Sequence, residues 1–251
     1  TQLGAHNRVK TLICQRKMLK ISGFSAETLW LFGVSVAAMR NHQFTNDNLS
    51  MTKLVLASSS TYRQALLERL QLPFECCSPN IDERSLDGES AYQQALRLSL
   101  QKSRAIAAIL PDRVIVGSDQ VAELVSSKQH NTGRNQQNRI LGKPGNHAKA
   151  VEQLTAQSGN TVLFHTGLAV IYRGLEKTIV NTTEVQFRAL TADQIEHYLR
   201  REQPYDCAGS FKAESLGVSL FNSVNSSDPT SLIGLPLIEL CNLLREFDID
   251  I

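Results

Sequence analysis

Four short segments of the 251-residue sequence combine residue types that could bind or hydrolyse a charged ligand. The first is ASSSTYR, from Ala57 to Arg63, which follows an apolar run and precedes a helical pattern. Free backbone N–H groups at a helix N-terminus bind anions, and the guanidinium of Arg63 adds further donors. The segment is therefore a candidate anion site, although an ordinary Ser/Thr helix cap explains the same residues.

The second segment is GSDQ, from Gly117 to Gln120, at the end of the apolar run VIVG. An acidic residue at the carboxyl end of a strand in an α/β sheet faces the crevice where ligands bind. Asp119 could therefore hold a divalent metal ion or act as a general base. An aspartate that caps a turn is an equally good interpretation of this segment alone.

The remaining two segments carry lysines beside small residues. In GKP, Lys143 lies between a glycine and a proline, where a constrained turn could present its charge to a phosphate, although a solvent-facing lysine is the default interpretation. In CAGSFKAE, which ends at Glu214, small residues allow close backbone approach. If this segment is extended, Lys212 and Glu214 project from one face. A Walker P-loop, G-x-x-x-x-G-K-[ST], is absent from the sequence.

Alternating strand and helix patterns must position these segments. Strands are predicted at 53–57, 74–77, 114–117, 162–172 and 178–187. Helices are predicted at about 62–70, 90–110, 146–157 and 191–200, and from Pro236 onward. On the second helix an i, i+3, i+4 stripe carries Lys102, which predicts that this lysine points inward. The patterns interleave, but Arg173-Gly174 predicts a hairpin, so we expect an α/β fold with a mixed sheet.

The charge of the chain is unevenly distributed. Residues 1–50 hold six basic and two acidic residues, a net charge of +4, whereas residues 51–251 hold 20 basic and 22 acidic residues, a net charge of −2. The larger part therefore lacks the basic footprint of a nucleic-acid binder. The apolar run from Leu29 to Met39 is too short to cross a membrane, so we expect no membrane partner, and a targeting segment is the less favoured interpretation of this region. Five cysteines without the spacing of a disulfide framework favour a reducing compartment, so we expect a cytoplasmic location.

These patterns also predict how the chain is organised. We interpret residues 1–50 as an extension outside the functional fold, which then occupies residues 51–251. Residues 126–138 are polar, rich in Asn and Gln, and without apolar periodicity, which predicts an exposed insertion between two strands.

Other chemistries fit the sequence less well. Ser99 and Lys102 match the S-x-x-K pattern of serine acyl-enzymes, but neither S-D-N nor K-T-G accompanies them. The sequence also contains no G-x-S-x-G, no H-E-x-x-H and no C-x-x-C. A nucleophile elbow and a zinc site of these types are therefore disfavoured.

In this order the segments resemble the Maf family of nucleoside triphosphate pyrophosphatases. The matching stretches span about residues 53–245 and include LVLASSSTYRQALLERL, SPNIDER, LRLSLQKSRA, VIVGSDQV, ILGKPGNHAKA and PYDCAGSFKAESLG. GSDQ together with CAGSFKAE is similar to the branch that acts on 7-methyl-GTP. The dTTP/UTP branch typically has a D-T pair in the first of these motifs.

The resemblance implies a two-lobed α/β fold of the Maf/ITPase-like type with a central substrate cleft. It implies hydrolysis of a nucleoside triphosphate between the α and β phosphates, with Mg²⁺ or Mn²⁺ as cofactor, and it is compatible with a homodimer. By motif, the implied catalytic residues are Asp119, Lys102 and Lys143, and the implied metal ligands are Asp119 and Glu83. The expected substrate-binding residues are Ser58, Tyr62, Arg63, Gln120 and Glu214, with Lys212 added by its spacing from Glu214.

The physical chemistry of these residues agrees with a modified nucleotide as substrate. N7-methylation makes guanine cationic, so that Tyr62 could stack on the base while Glu214 attracts it and accepts its N–H groups. The first motif departs from the family pattern S-P-R-R, since it reads S-T-Y-R-Q from Ser60. Two alternatives remain open: the same reaction on dTTP, UTP or another nucleotide, and a nucleotide-binding regulator, because Maf proteins are associated with inhibition of septum formation.

Overall fold

The computed structural model describes residues 54–125, 139–249 and 251. The predicted extension (1–50) and the predicted polar insertion (126–138) lie outside the described residues, so both interpretations stay predictions. Within the described part of the chain, no helix has the length and apolar character needed to cross a membrane.

Seven strands form a single mixed sheet, which confirms the predicted fold class. They are β1 (Leu54–Leu56), β2 (Phe74–Cys76), β3 (Val114–Val125), β4 (Arg139–Leu141), β5 (Thr161–Tyr172), β6 (Leu175–Phe187) and β7 (Phe221–Asn225). Their order is β2-β1-β3-β5-β6-β7, and β4 pairs with β3. The strand β1 is parallel to β2 and β3, whereas the other pairs are antiparallel.

Five α-helices accompany the sheet within the described ranges: α1 (Thr61–Glu68), α2 (Ala91–Ala107), α3 (His147–Gln157), α4 (Ala192–Glu202) and α5 (Leu237–Arg245). Capping boxes begin α2 at Ser90 and α4 at Thr191, as their sequences predict. The predicted ends of α1 and α2 are two to three residues too late, because both helices close in turns before the next strand. Pro236 occupies the N-cap of α5 rather than its first turn.

The strand β3 is much longer than the predicted 114–117. It continues to Val125 because β5 pairs with it in an unbroken antiparallel register from Ile115 to Val125. The predicted hairpin is confirmed: Arg173 and Gly174 join β5 to β6 with φ values of 50° and 80°. A two-residue turn with two positive φ angles matches the twist of long antiparallel strands, so β5 and β6 extend up to it.

One edge of β3 is shared by two strands, and the gap between them opens a cleft. The strand β1 pairs with residues 114–116 and β4 pairs with residues 122–124. Asp119 lies in the gap between these two pairings. A separate apolar core packs on each side: one contains Leu56, Leu66, Leu168 and Leu240, and the other contains Leu154, Phe164, Phe187 and Tyr198. This arrangement confirms the two-lobed fold.

The helix α2 packs on the sheet over two glycines. A Cβ atom at Gly117 of β3 would lie 2.5 Å from the carbonyl oxygen of Ser99, and one at Gly167 of β5 would lie 2.6 Å from the carbonyl carbon of Ala95. Real Cβ atoms do not approach so closely, so only glycine permits this contact. The close approach sets the distance between the side chains of α2 and the cleft.

Candidate active site

A cavity of about 610 Å³ occupies the cleft between the two lobes. All ten predicted site residues line it: Ser58, Tyr62, Arg63, Glu83, Lys102, Asp119, Gln120, Lys143, Lys212 and Glu214. Residues from distant parts of the chain therefore converge on one space. The alternative nucleophile, Ser99, is fully buried under Gly167, and its hydroxyl donates to the carbonyl of Leu96. The serine acyl-enzyme interpretation is therefore wrong.

A buried lysine joins two carboxylates at the centre of the cavity. The side chain of Lys102 on α2 is 6% exposed, as the stripe on that helix predicts. Its Nζ donates to Asp119 Oδ1 at 2.5 Å and forms an ion pair with Glu83 Oε1 at 2.8 Å. Asp119 is 8% exposed. Such burial is tolerated because each charge has an opposite partner within hydrogen-bond distance.

The position of Asp119 differs from the one expected from sequence. It lies in the middle of β3 and not at the end of a strand, because β3 continues beyond the predicted run. It nevertheless faces the cleft, since β1 ends opposite Val116 and leaves the edge of β3 open at this point. Gly117, two residues earlier on the same face, allows α2 to bring Lys102 within reach.

Glu83 lies in the irregular segment between β2 and α2. Burial acts to raise the pKa of its carboxyl, but the hydrogen bond and charge of Lys102, with the charges of Lys143 and Arg63, lower the pKa below its usual range. Glu83 is therefore ionised at neutral pH. Together with Asp119 it places two carboxylates against a single ammonium group.

Arg63 is held in a fixed orientation beside this centre. It lies in the first turn of α1, whose N-cap is Ser60, and its Nε donates to the carbonyl oxygen of Gly234 at 2.8 Å. Burial lowers the pKa of the guanidinium, whereas the charges of Asp119 and Glu83 raise it. Within the described part of the chain, its hydrogen bonds use Nε, so both η nitrogens can serve a bound anion.

Tyr62 belongs to a second group at the same cavity. The thiol of Cys207 lies 3.7 Å from the Tyr62 hydroxyl and 3.5 Å from Asp206 Oδ1. Burial raises the pKa of Tyr62, and it raises the pKa of Cys207 to about 11, with a further contribution from the carboxylates of Asp206 and Glu214 in both cases. Both side chains are therefore neutral at pH 7, next to two negative charges.

Gln120 makes contacts that its predicted role in base recognition did not anticipate. Its Nε2 lies 3.0 Å from Thr166 Oγ1, 2.9 Å from the carbonyl oxygen of Ser231 and 3.1 Å from that of Leu232. The amide nitrogen is thus engaged by the protein. A role for Gln120 in binding a base would fall to its Oε1 atom.

The geometry expected for Lys212 and Glu214 is wrong. The segment is not extended but turns at 213–215 into a 3-10 helix, Leu216–Leu220, so alternation along a strand does not apply. Lys212 Nζ donates to the carbonyl oxygen of Glu202 at the end of α4, at 2.9 Å. Glu214 remains exposed at the wall of the cavity. The two residues do line one cavity, but Lys212 is tied to the backbone.

Two further predicted residues complete the cavity. Ser58 is buried after β1, and its hydroxyl accepts a hydrogen bond from the backbone N–H of Ser60 at 3.1 Å. Lys143 is exposed after β4, on the opposite lobe. The positive charge of Lys143 helps to lower the pKa of Glu83, so Lys143 belongs to the same group as Lys102.

Comparison with known families identifies the fold that builds this cavity. A family model described as Maf-like protein matches residues 53–247. The chain belongs to the Maf family. The match contains every residue that lines the cavity, so the resemblance drawn from the motifs is confirmed.

Several curated relatives of this Maf protein carry the name 7-methyl-GTP pyrophosphatase. The one from Xanthomonas axonopodis pv. citri is 48% identical over 196 residues, which are 78% of this chain and 97% of the relative. The one from Pseudomonas savastanoi pv. phaseolicola is 51% identical over 196 residues, which are 77% and 96% of the two chains. The one from Albidiferax ferrireducens is 46% identical over 195 residues, 77% and 92%.

The donor set of this Maf protein suits a divalent metal shared with a substrate. Among the described residues, no three His, Cys, Asp or Glu side chains cluster as a metal site. Asp119 and Glu83 supply two carboxylates, which are the hard oxygen ligands that Mg²⁺ and Mn²⁺ prefer. Mg²⁺ is commonly held by one or two carboxylates plus substrate phosphates, so these residues fit such an ion.

A loop of the Maf fold also faces the cavity; its stretch LIGLPLIEL matches the family, but no site residue was predicted in it. The carbonyl oxygens of Ser231, Leu232 and Gly234 accept hydrogen bonds from the cavity residues Gln120 and Arg63. Every residue has a backbone carbonyl group, so motifs of reactive side chains could not identify these oxygens. Of the residues in this segment, Pro236 served only to predict the start of the last helix.

Proposed function

We propose that this Maf protein hydrolyses 7-methyl-GTP between the α and β phosphates to 7-methyl-GMP and pyrophosphate. Relatives of 46–51% identity are named 7-methyl-GTP pyrophosphatase, which makes the chain a nucleoside triphosphate pyrophosphatase. The proposal adds to this activity the identity of the substrate and of the bond that is cleaved. One observation carries it: the charged groups of the cavity fall into two sets of opposite net charge.

The first set suits a triphosphate. It contains three cations, Arg63, Lys102 and Lys143, and two carboxylates, Asp119 and Glu83, so its net charge is +1. Preorganised cations stabilise the charge that develops on a phosphoryl group and on a departing pyrophosphate. A bound divalent ion would add Lewis-acid charge at the same phosphates.

The second set suits a cationic base. It contains Tyr62, Asp206, Lys212 and Glu214, with Cys207 beside them, and its two carboxylates and one ammonium give it a net charge of −1. The N7-methylated guanine ring carries a positive charge, which an aromatic face and a carboxylate both attract. A carboxylate also accepts hydrogen bonds from the N1 and N2 groups of guanine. Neutral bases lack this charge, so the second set favours 7-methyl-GTP over GTP, dTTP and UTP.

Asp119 is the proposed general base. Its Oδ1 is engaged by Lys102, which fixes the carboxylate and leaves Oδ2 to orient the attacking water and accept its proton. The water oxygen then bonds to Pα as the bond from Pα to the oxygen that bridges Pα and Pβ breaks, and the bridging oxygen leaves on Pβ. The electron pair leaves with pyrophosphate, whose charge is stabilised by the cations of the first set.

Product analysis with a matched pair of variants tests this proposal. Wild type with Mg²⁺ should convert 7-methyl-GTP to 7-methyl-GMP and pyrophosphate, and chelation should stop turnover until Mg²⁺ or Mn²⁺ is restored. Asp119→Asn should lower kcat by about 10²-fold or more, the size of a general-base contribution. Asp193→Asn, on the exposed first turn of α4, should keep wild-type activity. Release of 7-methyl-GDP and phosphate, or full activity of Asp119→Asn, would overturn the proposal.

The expected homodimer, the cytoplasmic location and the expected absence of nucleic-acid and membrane partners remain predictions. The regulator of septum formation and the pyrophosphatase of another nucleotide are the alternatives that the same experiment separates. Tight nucleotide binding without turnover would favour the regulator.

A further inference from the structure

Residues 228–236, which we call the carbonyl loop, connect β7 to α5 and present backbone oxygens to the cavity. The carbonyl oxygen of Gly234 accepts from Arg63 Nε at 2.8 Å and lies 3.0 Å from Ser118 Oγ. The carbonyl oxygen of Ser231 accepts from Gln120 and Thr166. The orientation of the Arg63 guanidinium therefore depends on where this loop places one backbone oxygen.

A buried carboxylate anchors the carbonyl loop. Asp228 is 0% exposed and is not among the residues that line the cavity. Its Oδ1 accepts from the backbone N–H of Thr230 at 3.0 Å and from the hydroxyl at 2.7 Å. Its Oδ2 accepts from the backbone N–H groups of Ile238 at 2.7 Å and Glu239 at 3.3 Å, in the first turn of α5. One oxygen therefore holds the start of the loop and the other holds the helix that follows it.

We propose that Asp228 is a positioning residue for phosphate binding, because it fixes the carbonyl loop and thereby aims the guanidinium of Arg63 into the cavity. The path is short. Asp228 holds Thr230, and the Thr230 hydroxyl accepts from the N–H of Leu237 at 2.8 Å, which closes the loop around Gly234. This proposal rests on the proposed function in one respect, since it takes the anion that Arg63 binds to be a polyphosphate.

The four donors around Asp228 explain why a carboxylate is needed. A carboxylate offers acceptors at both oxygens, whereas an asparagine side chain has one oxygen and one NH₂ group. Asp228→Asn must therefore point a donor either at Thr230 or at the N–H groups of α5. The loop or the helix start then shifts, and the carbonyl oxygen of Gly234, a residue whose φ of 120° favours glycine, shifts with it.

A double-mutant cycle on equilibrium binding tests the link between Asp228 and Arg63. The probe is inorganic tripolyphosphate with Mg²⁺, titrated by calorimetry into the full chain. Arg63→Met should weaken binding by at least about tenfold, the size of a lost charge-assisted hydrogen bond, and Asp228→Asn by about fivefold or more. The double variant should bind no more weakly than Arg63→Met alone, because Asp228 acts through Arg63.

Two further variants separate positioning from stability. Thr191→Ala removes the N-cap of α4, a helix none of whose residues lines the cavity, and should lower stability by about 1 kcal/mol without changing the dissociation constant. Thr230→Val keeps the side-chain shape and should weaken binding about two- to fivefold, an effect absent in the Arg63→Met background. This variant carries the test if Asp228→Asn does not fold.

The outcomes are distinct. The inference is overturned if Asp228→Asn binds tripolyphosphate with wild-type affinity, or if Thr230→Val does so when Asp228→Asn does not fold. It is also overturned if the substitution weakens tripolyphosphate binding by the same factor in the wild-type and Arg63→Met backgrounds. Failure of the wild-type chain to bind tripolyphosphate also overturns it, because Arg63 would then have no polyphosphate to position. If the chain hydrolyses no nucleotide but shows the expected coupling between Asp228 and Arg63 in tripolyphosphate binding, the proposed function is contradicted and the positioning role is supported.

Discussion

Lys102 is the residue on which the cavity is centred, since its single ammonium group contacts both Asp119 and Glu83. These contacts hold two carboxylates close together at the site where a metal ion and a water molecule would be needed. Removal of one charged partner from a buried ion pair lowers the free energy of unfolding strongly, because the other charge is left uncompensated. The chemistry of the site therefore depends on all three side chains together.

Glu214 should contribute to selection of the methylated base. Glu214→Gln removes the negative charge but keeps the shape, so the ratio of kcat/KM for 7-methyl-GTP to that for GTP should fall by roughly tenfold, the value of one charge-assisted contact. Steady-state kinetics with both nucleotides measure this ratio. The matched control is Glu184→Gln on the exposed face of β6, which should leave the ratio unchanged. An unchanged ratio in Glu214→Gln would remove this residue from base recognition.

The thiol of Cys207 should be unusually unreactive. Burial raises its pKa to about 11, so only about one molecule in a thousand is a thiolate at pH 8. A raised pKa favours the protonated form, and the thiolate fraction therefore increases about tenfold per pH unit up to that pKa. Alkylation by iodoacetamide, followed by peptide mass mapping between pH 7 and 10, should show this rise at Cys207 without a plateau.

Comparison with N-acetylcysteine under the same conditions provides the control, since its rate levels off near its own lower pKa. A plateau for Cys207 near pH 9 would show that the thiol is not buried as the structure indicates. A bound non-hydrolysable analogue of 7-methyl-GTP should slow the alkylation further, because Cys207 lies in the wall of the cavity.

Much of the candidate site could be predicted from the sequence, but for different reasons at different residues. The direction of Lys102 followed from helical periodicity, which depends only on local geometry. Glu83 lies in an irregular segment, so only its motif indicated it. The contacts of Gln120 and Lys212 with backbone carbonyl groups could not be predicted, because their partners are distant in sequence and have no side-chain signature.

At the scale of secondary-structure elements, the contact between α2 and β3 determines the geometry of the centre. Gly117 and Gly167 allow the helix to lie directly on the strands, and Lys102 reaches Asp119 as a result. This contact could not be predicted from sequence, since a glycine inside an apolar strand pattern can have several different causes. The helix α2, the beginning of β3, the strands β5 and β6 and their hairpin were predictable from periodicity and turn residues, whereas β4 and β7 were not among the predicted strands.

Gly117→Ala should separate α2 from the sheet. Its Cβ would overlap the backbone oxygen of Ser99, which cannot move without displacing the helix. We expect the free energy of unfolding to fall by about 1–3 kcal/mol, the usual cost of overpacking, and kcat to fall because Lys102 moves away from Asp119. Denaturant unfolding and steady-state kinetics measure the two effects.

Gly159→Ala serves as the matched control. A Cβ there would meet no atom within 4 Å, although its φ of 70° adds local strain. It should lower stability by about 1 kcal/mol and leave kcat unchanged. Wild-type kcat in Gly117→Ala would contradict the view that the close approach of α2 positions Lys102.

The lengths of strands were the weakest predictions, for a physical reason. The strand β3 extends to Val125 because β5 offers a partner from Ile115 onward, and this pairing joins residues that are 36 to 56 positions apart in sequence. Local patterns ended the strand at GSDQ, where polar residues begin. Asp119 and Gln120 are tolerated within β3 because they line the cavity, and Ser118 is tolerated because its hydroxyl donates to the carbonyl oxygen of Gly167; only the assembled sheet reveals these surroundings.

At the scale of the whole molecule, two apolar cores built on a shared sheet create the cleft. The long strands β3 and β5 run through both lobes, while β1 and β4 each support one side of the opening. The overall charge of +2 gives no hint of the site. The charges on which the proposed function depends are local: a set with net positive charge, proposed to bind the phosphates, and a set with net negative charge, proposed to bind the base.

The most direct test of the central claim is the rate of pyrophosphate release by the full chain with Mg²⁺ from 7-methyl-GTP, GTP, dTTP and UTP. The charge pattern of the cavity predicts the highest kcat/KM for 7-methyl-GTP, by at least about tenfold over each of the others. Asp119→Asn supplies the background rate. A preference for dTTP or UTP, or pyrophosphate release that equals the Asp119→Asn background, would contradict the account.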